Sequence, residues 1–130
     1  MREIKFRAYI KNPAIVVPVQ CINFNCSTVE IRLDDGDFWE FDFEEVKLMQ
    51  YTGLHDKNGK EIYEGDIIRH RIKNIRTVVF KDGAFRTKRI NYVAGELTDA
   101  FFFYEDTGRD WEIIGNVFED GELLKGGTPE

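Results

Sequence analysis

Ile67-Ile68-Arg69-His70-Arg71-Ile72-Lys73, then Asn74, then Ile75-Arg76-Thr77-Val78-Val79-Phe80, then Lys81-Asp82-Gly83, then Ala84-Phe85-Arg86-Thr87-Lys88-Arg89-Ile90 form one unbroken stretch in mid-chain. Each apolar-polar run is rich in β-branched and aromatic residues, which suit a pleated, half-buried surface. Asn74 and Asp82-Gly83 separate the runs at the spacing of tight turns. The stretch therefore predicts three consecutive antiparallel strands.

Working outward, the same signals continue. Downstream, strands are predicted at Ala100–Tyr104 and Trp111–Phe118, separated by the polar loop Glu105–Asp110. Strict alternation puts Trp111, Ile113, Gly115 and Val117 on one face, with Ile114 and Phe118 on the other. A strand apolar on both faces belongs in the interior of a sheet or under a second layer. Upstream, Leu54-His55-Asp56-Lys57-Asn58-Gly59-Lys60-Glu61-Ile62 carries an Asn-Gly pair suited to the positive backbone angles of a β-hairpin. Glu64-Gly65-Asp66 makes a further turn into Ile67.

At the N-terminus, Ile4, Phe6, Ala8 and Ile10 alternate with Glu3, Lys5, Arg7 and Tyr9. Pro18 argues against a central strand at Ile15-Val16-Val17. Val29, Ile31 and Leu33 form a second alternating set. Asp34-Asp35-Gly36-Asp37 reads as a turn into Trp39, Phe41 and Phe43, giving a hairpin with an aromatic-rich buried face. Helix has little support beyond a turn or two at Glu44–Tyr51 and one at Glu122–Lys125. Gly126–Glu130 reads as a loose tail. The fold expected is mainly β: an antiparallel N-terminal hairpin region over residues 1–57, a small SH3-like β-barrel over 58–119, and a short C-terminal turn and tail over 120–130.

Eleven Phe, five Tyr and two Trp supply 14% of the chain, which again favours sheet over helix. With 130 residues the chain is long enough to fold around its own core without disulfides or a structural metal. No segment approaches the roughly 20 apolar residues needed to span a bilayer. The opening Met1-Arg2-Glu3-Ile4-Lys5 lacks the apolar core of a signal peptide. A cytoplasmic protein without a membrane partner is the expectation. In that compartment Cys21 and Cys26 are expected to be buried and reduced.

The middle of the sequence also carries a family likeness. Leu48-Met49-Gln50-Tyr51-Thr52-Gly53-Leu54 followed by Asp56-Lys57-Asn58-Gly59-Lys60-Glu61-Ile62-Tyr63-Glu64-Gly65-Asp66-Ile67 resembles the central motif of the YopX family of phage and prophage proteins. Met1-Arg2-Glu3-Ile4-Lys5-Phe6-Arg7-Ala8 is similar to that family's opening, and Trp111-Glu112-Ile113-Ile114-Gly115-Asn116-Val117-Phe118-Glu119 to its close. Tyr9 stands where family members usually have Trp, and Lys11–Val19 is more apolar than usual. The resemblance implies a phage or prophage origin, a bacterial cytoplasm and a largely β fold. It implies no activity.

Catalytic signals are lacking. There is no G-x-S-x-G, Walker loop, Rossmann glycine pattern or H-E-x-x-H. Asp34, Asp35 and Asp37 have the hard oxygens a divalent cation takes, but Asp and Gly are also the residues that turns require. Asp56-Lys57-Asn58-Gly59 lacks the remaining ligands of a calcium loop. His55 and Asp56 are neighbours on a strand and point to opposite faces. His55 and His70 lie far from the cysteines, so zinc is not expected. A non-enzyme without metal or cofactor follows.

Charge is the stronger clue. The net −6 divides into −5 over residues 1–68, +7 over 69–89 and −8 over 90–130. Arg69, Arg71 and Lys73 share one strand face, and Arg86 and Lys88 form a second pair. Together with Arg76, Arg89 and the aromatic Phe85 they make a candidate nucleic-acid surface, where cations track phosphates and rings stack on bases. Phe80 and Tyr92 lie nearby in sequence. Set against this, Lys and Arg also guard exposed strands from unwanted pairing, and Phe85 has the opposite parity to Arg86 and Lys88. The alternative is a protein-interaction or self-assembling module acting on a host or phage protein. Asp106, Asp110, Glu112, Glu119, Asp120 and Glu122 would meet the basic strands of a second copy, and Phe101-Phe102-Phe103-Tyr104 would supply apolar area.

Overall fold

The structure, a computed structural model, describes residues 3–33, 35–70, 74–90, 97–101 and 110–124. The chain divides into two compact units, Met1–Gln50 and Tyr51–Glu130. Both are built from antiparallel strands, so the fold is mainly β, as the alternation predicts. Among the described residues no helix is long and apolar enough to cross a membrane.

In the first unit β1 (Phe6–Ile10) lies between β2 (Ile15–Pro18) and the first half of β6 (Val46–His55). The strands β3 (Cys21–Asn23), β4 (Thr28–Arg32) and β5 (Phe38–Asp42) form a meander. One run of chain serves both groups. The Val19 amide donates to the Phe6 carbonyl at 3.0 Å, and the next amide, Gln20, donates to Glu30 at 2.8 Å. The strand order is therefore β6, β1, β2 running into β3, β4, β5: a curled sheet that ends at β5. Alternation selects what it encloses. Ala8, Ile10, Val29, Ile31 and Val46 are buried together, with Phe41, Phe43 and Leu48 packed against them. Trp39 departs from the expected buried aromatic face, being 48% exposed. The turn into β5 is as predicted: Asp35 Oδ1 accepts the Asp37 amide at 2.9 Å, and Gly36 adopts a φ of 91°.

Two expectations fail in this unit. Of the turn or two of helix expected at Glu44–Tyr51, only a 3₁₀ turn at Phe43–Glu45 forms, and from Val46 onward the chain is β6. Val46 and Leu48 share the core-facing side of β6, and pairing with β1 overrides the helix-forming Glu and Lys residues. The two thiols are free and exposed rather than buried, Cys21 opposite Glu30 on the solvent side of the meander and Cys26 in the β3–β4 turn.

In the second unit the end of β6 pairs with β7 (Glu61–Tyr63) across the Asp56–Lys60 turn. Beyond it, β8 (Asp66–His70), β9 (Asn74–Lys81), β10 (Ala84–Ile90) and β11 (Leu97–Phe101) run as a meander. The last strand, β12 (Glu112–Asn116), lies beside β8, giving the order β11-β10-β9-β8-β12. The final strand thus returns to the first strand of the meander. The strand expected at Ala100–Tyr104 begins earlier, at Leu97, and residues 102–104 lie outside the described residues.

Because β8 is central, Ile67 and Ile68 are both buried, on opposite faces. Ile68 packs with Ile62, Val78, Leu54, Trp111 and Ile113. Ile67 packs with Ile75, Ile114, Val117 and Leu123, the last from a 3₁₀ turn at Gly121–Leu124. Val117 thus joins Ile114 and not Trp111. The reason is a bulge between Ile113 and Gly115, which adds one residue and reverses the parity that strict alternation predicts. Gly115 itself is required by a close approach: a Cβ there would lie 2.6 Å from Asp120 Oδ2 and 2.8 Å from Asp120 Cβ.

Asp56 ties this unit together. Its side chain is buried, and Oδ1 accepts the amides of Asn58 (2.8 Å) and Lys60 (2.9 Å) while Oδ2 accepts the amide of Ile113 (3.0 Å). The first two bonds fix the hairpin turn, and the third fastens it to β12. Burial pushes the Asp56 pKa up, but the amides of Ile113, Lys60 and Asn58 and the charge of Lys60 outweigh it and hold the group below its ordinary value. A depressed carboxylate stabilises the fold above its unfolded-state pKa of about 3.9 and loses that contribution as pH falls through the lower folded value. Asp56→Ala removes the shared acceptor of three backbone amides and is expected to cost about 1–3 kcal/mol, read from urea midpoints at neutral pH. Wild type and variant should converge in stability at strongly acidic pH.

Candidate interaction surfaces

The expected basic surface lies on β8, β9 and β10, and register decides which of its residues meet. Ile68 pairs with Arg76 and Arg69 with Ile75, while Arg86 pairs with Val79, Lys88 with Thr77, and Arg89 with Arg76. Directly paired residues share a face. Arg69, Arg86 and Lys88 therefore project from the face that carries Ile67 and Ile75. Arg76 and Phe85 belong to the opposite face, with Ile68 and Val78. The described candidates are thus divided between two faces of the sheet. Arg71 and Lys73 lie outside the described residues, as do Tyr92, Asp106 and residues 102–104.

Several of these cations serve the fold. Arg69 Nη2 donates to Glu112 Oε1 at 2.8 Å, and Lys57 Nζ lies 3.4 Å from the other oxygen of the same carboxylate. Arg76 Nη1 donates to Thr87 Oγ1 at 3.0 Å, and its guanidinium sits 5.5 Å from the centre of the Trp111 ring. His70 flanks the same indole at 5.3 Å between ring centres. Arg86 Nε donates to the Lys81 carbonyl across the β9–β10 turn at 3.1 Å. Phe85 is buried with its ring edge-on to Phe80, so Phe80 is the half-exposed ring of that pair. Rings and unburied cations are thus on different faces of this hairpin.

Three of the acidic residues proposed to meet those cations from another copy, Glu112, Glu119 and Asp120, are also engaged. Glu112 is bound as described. Asp120 Oδ2 accepts the Asn116 amide at 3.1 Å, and Glu119 Oε1 accepts Asn116 Nδ2 at 2.8 Å. Asp110 is exposed. His55 Nδ1 lies 3.5 Å from the Tyr51 hydroxyl, while the Asp56 carboxylate accepts backbone amides on both oxygens. Among the described residues no three His, Cys, Asp or Glu side chains converge as a metal site.

A second surface, not singled out by sequence reading, lies on β5. The bonds from the Leu33 amide to the Asp37 carbonyl and from the Phe43 amide to the Ser27 carbonyl fix the phase of the β4–β5 ladder. Antiparallel pairs alternate between bonded and non-bonded, so the backbone groups of Phe38, Glu40 and Asp42 point away from β4. No described strand pairs on that side. The outward Asp42 amide is capped by Glu45 Oε1 at 2.9 Å, which leaves Phe38 and Glu40 presenting theirs. Phe38 is 57% exposed and Trp39 48%, with Arg32 held 5.5 Å over the Phe38 ring. Residues 30–45 carry eight acidic side chains and one basic. The signal that would have found this edge is the run Phe38-Trp39-Glu40-Phe41-Asp42, last in its sheet and flanked by carboxylates.

A family model described as YopX protein matches residues 5–125. A crystal structure titled protein EF1440 from Enterococcus faecalis superposes with a TM-score of 0.66 at 22% identity, covering 96% of this chain and 100% of that one. At that identity the likeness is one of fold. A search of curated proteins finds no match.

The Arg69–Glu112 pair is open to direct measurement. The hydrogen bond from Arg69, then the bond and charge of Lys57, hold the Glu112 pKa below its ordinary value. In carboxyl-detected NMR titration Glu112 should titrate below an ordinary glutamate, and Arg69→Ala should raise its midpoint. Because the folded value is depressed, the pair supports the fold at neutral pH and ceases to do so as acid protonates Glu112.

Proposed function

The chain belongs to the YopX family, and from that premise we propose that this protein is a non-catalytic binding module whose partner is another protein. The open edge of β5 carries this reading. An edge strand that displays both backbone hydrogen-bonding groups and large aromatic rings is a template for a further strand, which folds ordinarily cover, shorten or interrupt. The family resemblance supplies the setting: a phage or prophage protein acting on a host or phage protein in a bacterial cytoplasm.

Nucleic acid is the rival occupant, favoured by Arg69, Arg86 and Lys88 projecting from one face of β8–β10. Three features weigh against it. Arg69 is neutralised by Glu112, Arg76 is packed on Trp111, and the net charge of −6 repels phosphate. Binding through phosphate contacts falls steeply with salt, which gives the two readings separate signatures.

A photoreactive phenylalanine analogue placed at position 39 should form adducts with a host or phage protein, and the same analogue at position 86 should not. The complex is then rebuilt from purified components. Trp39→Ser is expected to weaken it about tenfold or more, as loss of an aromatic anchor does. Titration with single- and double-stranded DNA over a salt series should show no binding at physiological salt. Salt-dependent DNA binding that is lost on charge reversal at Arg86 and Lys88, with no adduct at position 39, would overturn the proposal.

A further inference from the structure

We infer that the β5 edge accepts an extended segment in which Lys or Arg alternates with apolar residues, added as a further strand of the sheet. The inference rests on the proposed function and specifies the chemistry of its partner.

Three features of the edge define that chemistry. The first is the backbone. Phe38 and Glu40 each direct an N–H and a C=O outward, and these groups repeat every second residue, at about 7 Å. Only an extended chain matches that repeat with its own alternate donors and acceptors. A helix satisfies its backbone internally and offers nothing to the edge.

The second is the separation of side chains by face. Phe38, Glu40 and Asp42 lie on one face of β5, opposite Arg32, Glu30 and Thr28 of β4, with Arg32 taken up over the Phe38 ring. Trp39 and Phe41 lie on the other, paired with the core residues Ile31 and Val29. A strand laid along β5 places its own residues in the same two rows. Those on the carboxylate row meet Glu40 and Asp42 and gain from positive charge. Those on the other row cover the half-exposed Trp39 and extend the apolar core. The pattern of the incoming segment, cation then apolar then cation, is thus dictated by the pleat.

The third is what the charge excludes. Two copies paired edge to edge about Glu40 would oppose Glu40 to Glu40, and like charges directly across a strand pair destabilise it. The chain's own basic strands cannot serve from a second copy either, since β8, β9 and β10 each have a neighbour on both sides. Acidic residues on the edge keep identical molecules apart while attracting a cationic stranger. That combination favours a different protein over self-association.

The test uses the full chain and blocked hexapeptides. A peptide alternating lysine and valine should bind, with chemical-shift changes centred on the amides of residues 38–42 and affinity falling as salt rises. Glu40→Lys is expected to weaken binding about tenfold or more, since it puts like charges across the pairing. The same peptide N-methylated on the amides of alternate residues keeps its charge but cannot pair, and should not bind; this comparison leaves the protein unaltered. A peptide alternating glutamate and valine should also fail. Equal binding by the N-methylated peptide, equal binding by Glu40→Lys, or shifts confined to β8–β10 would each overturn the inference. So would light scattering that shows a dimer of the unliganded chain abolished by Glu40→Lys. If a protein adduct still forms at position 39 while no peptide binds, the inference falls and the proposed function stands. If neither is seen, both fall.

Discussion

A carboxylate with three amide donors governs the second unit. Asp56 is placed at the start of a hairpin turn, and its two oxygens satisfy Asn58 and Lys60 on that turn and Ile113 on β12. Turn and strand are 57 residues apart in sequence, so one side chain closes a long loop. Reinforcement comes from the Lys57 amide, which donates to the Trp111 carbonyl at 2.8 Å. Further along, Gly65 receives the Val117 amide on its carbonyl at 2.8 Å and donates its own amide to Val78 at 2.7 Å. A φ of 89° makes glycine the residue suited to that junction. Asn116 completes the series, its Oδ1 accepting the amides of Phe118 and Glu119.

Several of these residues fall in the stretches by which the sequence resembles the family: Asp56, Asn58, Gly59, Gly65, Trp111, Gly115 and Asn116. Each has a role in closing turns or joining β12 to the rest of its unit. In this structure those stretches therefore account for how the unit is held.

Alternation made much of the fold legible. β1, β4, β8 and the β9–β10 hairpin follow directly from period-two patterning and from Asp-Gly or Asn-Gly turns, because a sheet face buried on one side leaves no other register open. What stayed hidden has specific causes. The Ile113–Gly115 bulge is marked in the sequence only by Gly115, which alternation alone does not read as an extra residue, and it moves Val117 to the other face. Glu44–Tyr51 reads as a short helix because local propensity says nothing of β1, whose pairing draws residues 46–50 into a sheet. The candidate basic surface was legible as charge but not as geometry. Arg69 finds its counter-charge on Glu112, 43 residues away, and Arg76 finds Trp111, and neither pairing is visible until strand order is known.

Charge segregation along a chain can serve the interior of a fold or its exterior, and this protein uses it both ways. In the second unit, positive β8–β10 is bordered in sequence by acidic segments, and at least one of those carboxylates, Glu112, crosses back to neutralise a cation within the same sheet. In the first unit the acidic run at residues 30–45 is interrupted by a single Arg, and that Arg lies over Phe38. Glu40, Asp42, Glu44 and Glu45 are left exposed along a strand with an open side. An edge must be protected from its own kind in any soluble β protein, and Lys is the common guard. Guarding it with carboxylates achieves the same exclusion of identical copies but reverses the sign of the partner admitted. On the function proposed above, net charge and its segregation favour the acidic edge over the basic strands, where sequence draws the eye, as the surface that takes a partner.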